Sequence, residues 1–185
     1  MGYTHYFKQN KPVSDEQWKN FKKDAEVIIS EIGKRNIILM SNDDNGVIID
    51  NNRVNLNGDE TEGLDHETFY LEKDYREFNF CKTAAKPYDL AVCSLLLLAN
   101  EHMPGHHDIG SDGQLDDWKD AMELNAKVLG HGYKLPRGVE NSQDVSDFED
   151  ELFHTYVKPQ STKVDEPATD EKIDIYKKKG SRFNL

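Results

Sequence analysis

Cysteine is scarce in this chain, with two in 185 residues, Cys81 and Cys93, and both fall in or beside one apolar stretch. Such a pair excludes the disulfide framework that staples small secreted domains and points to a reducing compartment. Positive charge is in deficit: 23 Lys and Arg stand against 35 Asp and Glu, for a formal net charge of −12. That balance disfavours contact with a nucleic-acid backbone, while leaving room for a local basic pocket. Long hydrophobic runs are missing too. The longest, Leu90 to Ala99, is about half of what a membrane-spanning helix needs, and the N-terminus has no basic segment followed by an apolar signal core. The expectation is a soluble cytoplasmic protein with no membrane partner. The glycine-rich phosphate loop is absent, which excludes a P-loop nucleotidase.

What is present is periodicity. Gly2 to Lys8, GYTHYFK, alternates aromatic and polar residues as a half-exposed strand does. Ser14 and Gln17 make a capping-box pattern, after which Trp18, Phe21, Ala25, Ile28, Ile29 and Ile32 recur at helical spacing until Gly33. Ile37 to Met40, Val47 to Asp50 and Arg53 to Leu56 read as short strands of an antiparallel meander, punctuated by turn-forming Asn, Asp and Gly. Glu67 to Leu71 reads as a further strand, followed by a polar loop. Pro87 suits the first turn of a helix, and Leu90 to Ala99, apolar on every face, marks that helix as central and buried. Another helix is predicted over 115–129, stopping at the GHG of 130–132. After Pro136 the composition turns acidic and polar, with one amphipathic stretch, Val145 to Val157, and then a segment poor in apolar residues that reads as a mobile tail. The expected fold class is α+β, a small, mostly antiparallel sheet packed against two or three helices with an acidic flexible C-terminal tail. The expected division is a compact α+β domain over 1–136 and an acidic, partly helical or disordered tail over 137–185.

The chemistry-bearing residues cluster around FCKTAAKPYD. Lys82, Thr83 and Lys86 precede Pro87, so two ammonium groups, a hydroxyl and the free N–H groups of a first helical turn would converge on an anion, most commonly phosphate. The plainer alternative is that Thr83 caps the helix and the lysines are solvated. His5, flanked by Tyr3 and Tyr6, suits a stacking or hydrogen-bonding wall for a base or ring, although a strand-core aromatic cluster has the same sequence. His66 and Glu67 are adjacent, so on a strand they face opposite sides and do not form one acid/base pair. Cys81 sits beside two lysines, an environment that activates thiols, but no histidine and amide partners can be assigned to it. His102, His106, His107, Asp108 and Asp112 come in close succession. As a calcium loop starting at Asp108 they fail, because Gly110 holds the third position and Lys119 the twelfth. Zinc would need a third or fourth ligand from elsewhere in the chain. No metal, cofactor or complete catalytic set is therefore assigned, and Ser111 or Asp112 reads as the cap of the next helix, with Gly113 in the turn.

Four stretches, GYTHYF at Gly2 to Phe7, HETFYL at His66 to Leu71, FCKTAAKPYD at Phe80 to Asp89 and SDGQLDDW at Ser111 to Trp118, together resemble a family of small bacteriophage and prophage proteins, most of them uncharacterised, that open with GYTHYW or GYTHYF. The resemblance implies a phage-encoded protein acting in a bacterial cytoplasm, and no established reaction. It also implies an arginine where this chain has Ala85, which leaves Lys82 and Lys86 as the available cations. The leading expectation is a small-molecule-binding protein rather than an enzyme, sequestering a phosphate-bearing nucleotide signal of host antiviral defence. Its ligand-binding residues would be Tyr3, His5, Tyr6, His66, Lys82, Thr83, Lys86, Tyr88 and Asp89. One alternative is a nucleotide or phosphoester hydrolase with His5 or His66 as acid/base and Asp89 or Asp112 orienting it. Another is an inhibitor that binds a host protein through its acidic surface. Homo-oligomerisation stays open.

Overall fold

The computed structural model describes residues 3–41 and 46–158. Of the tail expected over 137–185, residues 159–185 lie outside the described residues. The fold is α+β, with two three-stranded antiparallel sheets and four helices, where the sequence pattern suggested one sheet.

Strand β1 (Thr4–Gln9) is the middle of the first sheet, flanked by two strands that the sequence did not announce. These are the strands at Phe78–Lys82 and His107–Ser111. The second sheet joins two strands of the expected meander, β2 (Ile48–Ile49) and β3 (Arg53–Leu56), to β4 (Phe69–Glu72), which overlaps the further strand expected at Glu67 to Leu71, in that order. Of Ile37 to Met40 only Met40 joins it, through a single bridge to Asn57. The remaining two strands are then β5 (Phe78–Lys82) and β6 (His107–Ser111), and both pair antiparallel with β1. The segment 78–82 reads as a loop because its alternation is inverted, with Phe78 and Phe80 exposed and Cys81 buried. β6 is built from His, Asp and Gly, residues poor in β-propensity, and its pairing with β1 overrides that preference.

Residues opposed across a ladder share a face of the sheet. Tyr6 opposes Phe80 and Gly110, and Lys8 opposes Phe78 and Asp108, so these line the outer face. His5 opposes Cys81 and Ser111, and Phe7 opposes Asn79 and Ile109, so these look inward.

The helices fill the other side. α1 (Asp15–Gly33) starts with the predicted capping box, in which the Gln17 N–H donates to Ser14 Oγ at 3.2 Å and the Ser14 N–H to Gln17 Oε1 at 3.1 Å. Trp18, Phe21, Ala25, Ile28 and Ile32 form its buried stripe, with Ile29 partly buried at its margin. α2 (Asp89–His102) packs between α1 and α3 and is buried on every face from Ala91 to Ala99. Pro87 lies in a turn ahead of it rather than in its first turn, and Tyr88 takes the cap position. α3 (Leu115–Leu129) has the expected range, but its cap is a reciprocal Gln114–Asp117 pair and not Ser111 or Asp112. It stops at Gly130, whose φ of 76° gives the left-handed turn that glycine adopts without strain. α4 (Gln143–Leu152) runs on into a π-type turn, Phe153–Val157, and buries Val145 and Leu152. The Tyr156 hydroxyl donates to Glu123 on α3 at 2.6 Å. Among the described residues no helix is long and apolar enough to cross a membrane.

The connection between α3 and α4 runs along the free edge of β6. A Cβ on Gly138 would lie 2.3 Å from the Ile109 carbonyl oxygen, so only glycine permits this approach. Two carboxylates pin the connection: Glu149 Oε1 accepts from the Leu135 N–H at 2.9 Å, and Glu140 Oε2 from the Leu115 N–H at 2.8 Å.

Candidate functional site

Two constellations emerge, one on each face of the first sheet. On the inner face, His5 is fully buried and uses both ring nitrogens. Nε2 lies 2.8 Å from Asp89 Oδ1, and Nδ1 lies 3.0 Å from Ser111 Oγ. Thr83 Oγ1 donates to the same Asp89 oxygen at 2.5 Å, and the Gly113 N–H donates to Ser111 Oγ at 3.0 Å. Asp89 is an acceptor toward Thr83, so the tautomer that satisfies every partner carries the proton on Nε2 and accepts from the Ser111 hydroxyl at Nδ1. Cys93, one helical turn beyond Asp89, brings Sγ to 3.6 Å from His5 Nε2 and 3.7 Å from Asp89 Oδ2. The rings of Tyr3 and Trp118 meet the imidazole edge-on, with centroids 5.0 and 5.1 Å away.

Burial dominates the electrostatics of this hub. It raises the Tyr3 phenol, with the charges of Cys93 and Asp89 adding to the effect. It also raises the Cys93 thiol well above its ordinary value, reinforced by Asp89. Cys81 is pushed up to about 12 by burial, and its Sγ donates to the Glu67 carbonyl at 3.3 Å. Neither thiol is an activated nucleophile. A serine hydroxyl held by an imidazole that a carboxylate orients is, however, the arrangement of a proton relay.

On the outer face the sheet borders an open cleft of about 1040 Å³. Tyr6, Lys8 and Phe78 form its sheet side, Lys134, Pro136 and Arg137 its loop side, and Val145 and Glu149 its α4 side. Tyr6 and Phe78 are stacked at 6.1 Å and 24°, and Phe80 continues the row 6.3 Å from Phe78. Phe78 is 59% and Phe80 48% exposed, unusual for such large apolar rings. The lysine and arginine ion pairs among the described residues are Lys34–Glu31, Arg53–Asp50, Lys73–Asp15 and Lys119–Asp116. Lys8, Lys134 and Arg137 therefore bring charge without an ion pair among the described residues to the cleft; of its three acids, Glu140 and Glu149 are engaged by backbone N–H groups, and Asp108 stands opposite Lys8. His107 also lines the cleft. It is 9% exposed, neither ring nitrogen has a hydrogen-bond partner among the described residues, and burial, followed by the charge of His106, lowers its pKa to about 4.

The residues singled out from the sequence divide into three places. Tyr3, His5, Thr83 and Asp89 meet in the inner hub. Tyr6 lies on the outer face, its hydroxyl donating to Asp112 Oδ1 at 3.1 Å. His66, Lys82, Lys86 and Tyr88 lie around the loops that join the two sheets. Tyr88 is fully buried and donates to the Glu67 carbonyl at 2.7 Å. The Lys82 backbone N–H donates to Glu67 Oε2 at 2.7 Å. Lys86 Nζ is bonded to the Gly63 carbonyl, and the exposed His66 is held by its backbone to Asn57. Lys82 is on a strand and Lys86 reaches a loop carbonyl, so what stands beside Thr83 at the start of α2 is the carboxylate of Asp89.

Sequence reasoning missed Ser111, Cys93 and Trp118 in the hub, and Lys8, Phe78, Lys134, Arg137 and His107 in the cleft. The alternation of FNFCK was the available signal for Phe78 and Phe80. Nothing local announced Lys134 or Arg137. Comparison with protein-family models, curated proteins and solved structures gave no match. Of the four motifs singled out in the sequence, GYTHYF, FCKTAAKPYD and SDGQLDDW supply residues of the hub.

Proposed function

We propose that this protein is a phage-encoded binder of a small phosphate-bearing nucleotide, of the class that serves as a host antiviral defence signal, and that the ligand occupies the outer cleft. The observation that carries this reading is the row of rings on the outer face, with Tyr6 half-buried and Phe78 and Phe80 exposed, whose first two members line the cleft beside Lys8, Lys134 and Arg137, cations with no ion pair among the described residues. A nucleobase stacked on such a ring gains about 1–3 kcal/mol, and a guanidinium suits the phosphate oxygens. The net charge of −12 argues for a compact ligand over a polynucleotide. In the reading from sequence the pocket lay at the start of α2; the cleft offers these cations where that region offers a carboxylate already in place.

The test is retention of nucleotides. Purified protein is incubated with linear and cyclic nucleotides and filtered, and the retained fraction is heat-released and analysed by chromatography. One unaltered compound at near-stoichiometric yield is expected, and Phe78→Ala and Arg137→Glu should each lose it while remaining folded. Equal retention by both variants, or none by the parent protein, would sink the proposal. The His5 relay supports a second reading, a phosphoester hydrolase in which His5 moves the Ser111 proton under the guidance of Asp89. Recovery of a converted compound, abolished by Ser111→Ala, would favour it.

A further inference from the structure

We infer that Asp24, His102 and His131 form a site for a divalent transition-metal ion of the zinc class. The three come from separate segments: the middle of α1, the last turn of α2 and the loop just beyond α3. Nε2 of His102 lies 2.7 Å and Nε2 of His131 3.2 Å from one oxygen, Oδ2 of Asp24. The ligand atoms of all three residues fall within 4.8 Å of one another. In a tetrahedral zinc site, with bonds of about 2.0–2.2 Å, neighbouring ligand atoms are about 3.3–3.5 Å apart. A small opening of this triangle therefore admits the ion.

The rest of the surroundings fits a cation. The two imidazoles stand edge-on at 87°, so both nitrogens address the carboxylate without the rings stacking. His102 closes α2 and His131 follows the Gly130 cap of α3, and both helix C-termini present the negative end of a macrodipole. Two imidazoles with one carboxylate suit zinc, iron(II) or cobalt(II) and not calcium or magnesium, which take oxygen ligands. Exposure is graded: the side chains of Asp24 and His102 are 14% and 15% exposed, and that of His131 39%. One side of the site thus faces solvent, leaving a coordination position for water or a substrate atom, as in catalytic zinc centres. The histidine-rich stretch hid this from the sequence. His102 finds its partners in α1 and beyond α3, whereas His106 meets Gln17 at 3.3 Å and His107 belongs to the sheet.

The competing account is a carboxylate that merely accepts two N–H bonds. Calorimetry on the tag-free, chelator-treated chain separates the two, with zinc(II) as the probe and cobalt(II) for the visible spectrum. The inference expects about one equivalent of zinc per chain, affinity falling on acidification as the imidazoles protonate, and a cobalt spectrum without a thiolate charge-transfer band. His131→Ala and Asp24→Asn should each weaken binding at least about tenfold. The exposed His154→Ala should leave it unchanged, and an unaltered urea midpoint of the metal-free His131→Ala protein shows that its fold is intact. No stoichiometric zinc, unchanged affinity in His131→Ala, or a thiolate band removed by Cys93→Ser would overturn it, the last by moving the ion to His5, Asp89 and Cys93. Nucleotide retention plays no part in these outcomes, so this site and the cleft stand or fall separately.

Discussion

His5 and Asp89, 84 positions apart, meet at 2.8 Å and fasten the first turn of the central helix to the middle strand of the first sheet. The carboxylate sits where the α2 macrodipole favours a negative charge. It also accepts from both the His5 ring and the Thr83 hydroxyl. One carboxylate thereby ties two of the four sequence motifs together, and Ser111 on the other nitrogen of His5 brings in a third.

Removing that carboxylate should be costly. Asp89→Ala leaves a buried imidazole N–H and a buried hydroxyl without an acceptor, and we expect a loss of about 2–4 kcal/mol of unfolding free energy by urea titration. Asp112→Ala, which removes only an exposed partner of Tyr6, should stay within about 0.5 kcal/mol of the parent. Equal stability of the two variants would show that the hub does not hold the fold.

Both cysteines should be silent toward a thiol reagent in the native protein. Cys81 and Cys93 are buried, with pKa values raised by that burial. At about pH 8 the native chain should leave both thiols unmodified over hours, and denaturant should expose two equivalents. Rapid native labelling lost in Cys93→Ser would mean that the hub opens readily.

Periodicity carried what is local. The Ser14 capping box, the α1 stripe, the buried run of α2 and the span of α3 each follow from residues within a few turns of one another. β5 and β6 were hidden because strand identity there depends on pairing with β1, a partner far away in the chain. The same holds for function. Tyr3, His5, Thr83 and Asp89 stood out by residue type and do converge, but Ser111 joins them through register opposite His5. Lys134 and Arg137 reach the cleft only because a glycine lets their loop lie against β6.

That glycine makes the cleft testable without touching a lining side chain that a ligand would contact. Gly138→Ala places a methyl against the Ile109 carbonyl, and backbone on both sides leaves little room to yield. We expect a loss of about 1–3 kcal/mol and a displaced 134–141 segment, read as faster amide exchange there. Nucleotide retention should fall in step. Parent-like exchange would show that the loop is free to stand off the sheet.

His107 gives the fold a pH dependence whose sign can be worked out. Its native pKa is lowered to about 4, first by burial and then by His106, from the 6.5 of the unfolded chain. Between these values the unfolded state binds more protons than the native one, so stability rises with pH through the window and falls as the solution is acidified. The contribution is complete above about pH 6.5 and is lost progressively down to about pH 4, below which both states are protonated. Carboxylates titrate nearby, so the difference between the parent and His107→Gln is the quantity to follow, because the shared dependence cancels. From about pH 7.5 to pH 5 the parent should lose about 2 kcal/mol relative to the variant. A flat difference across that range would mean that His107 keeps access to solvent or to a partner able to hold its proton.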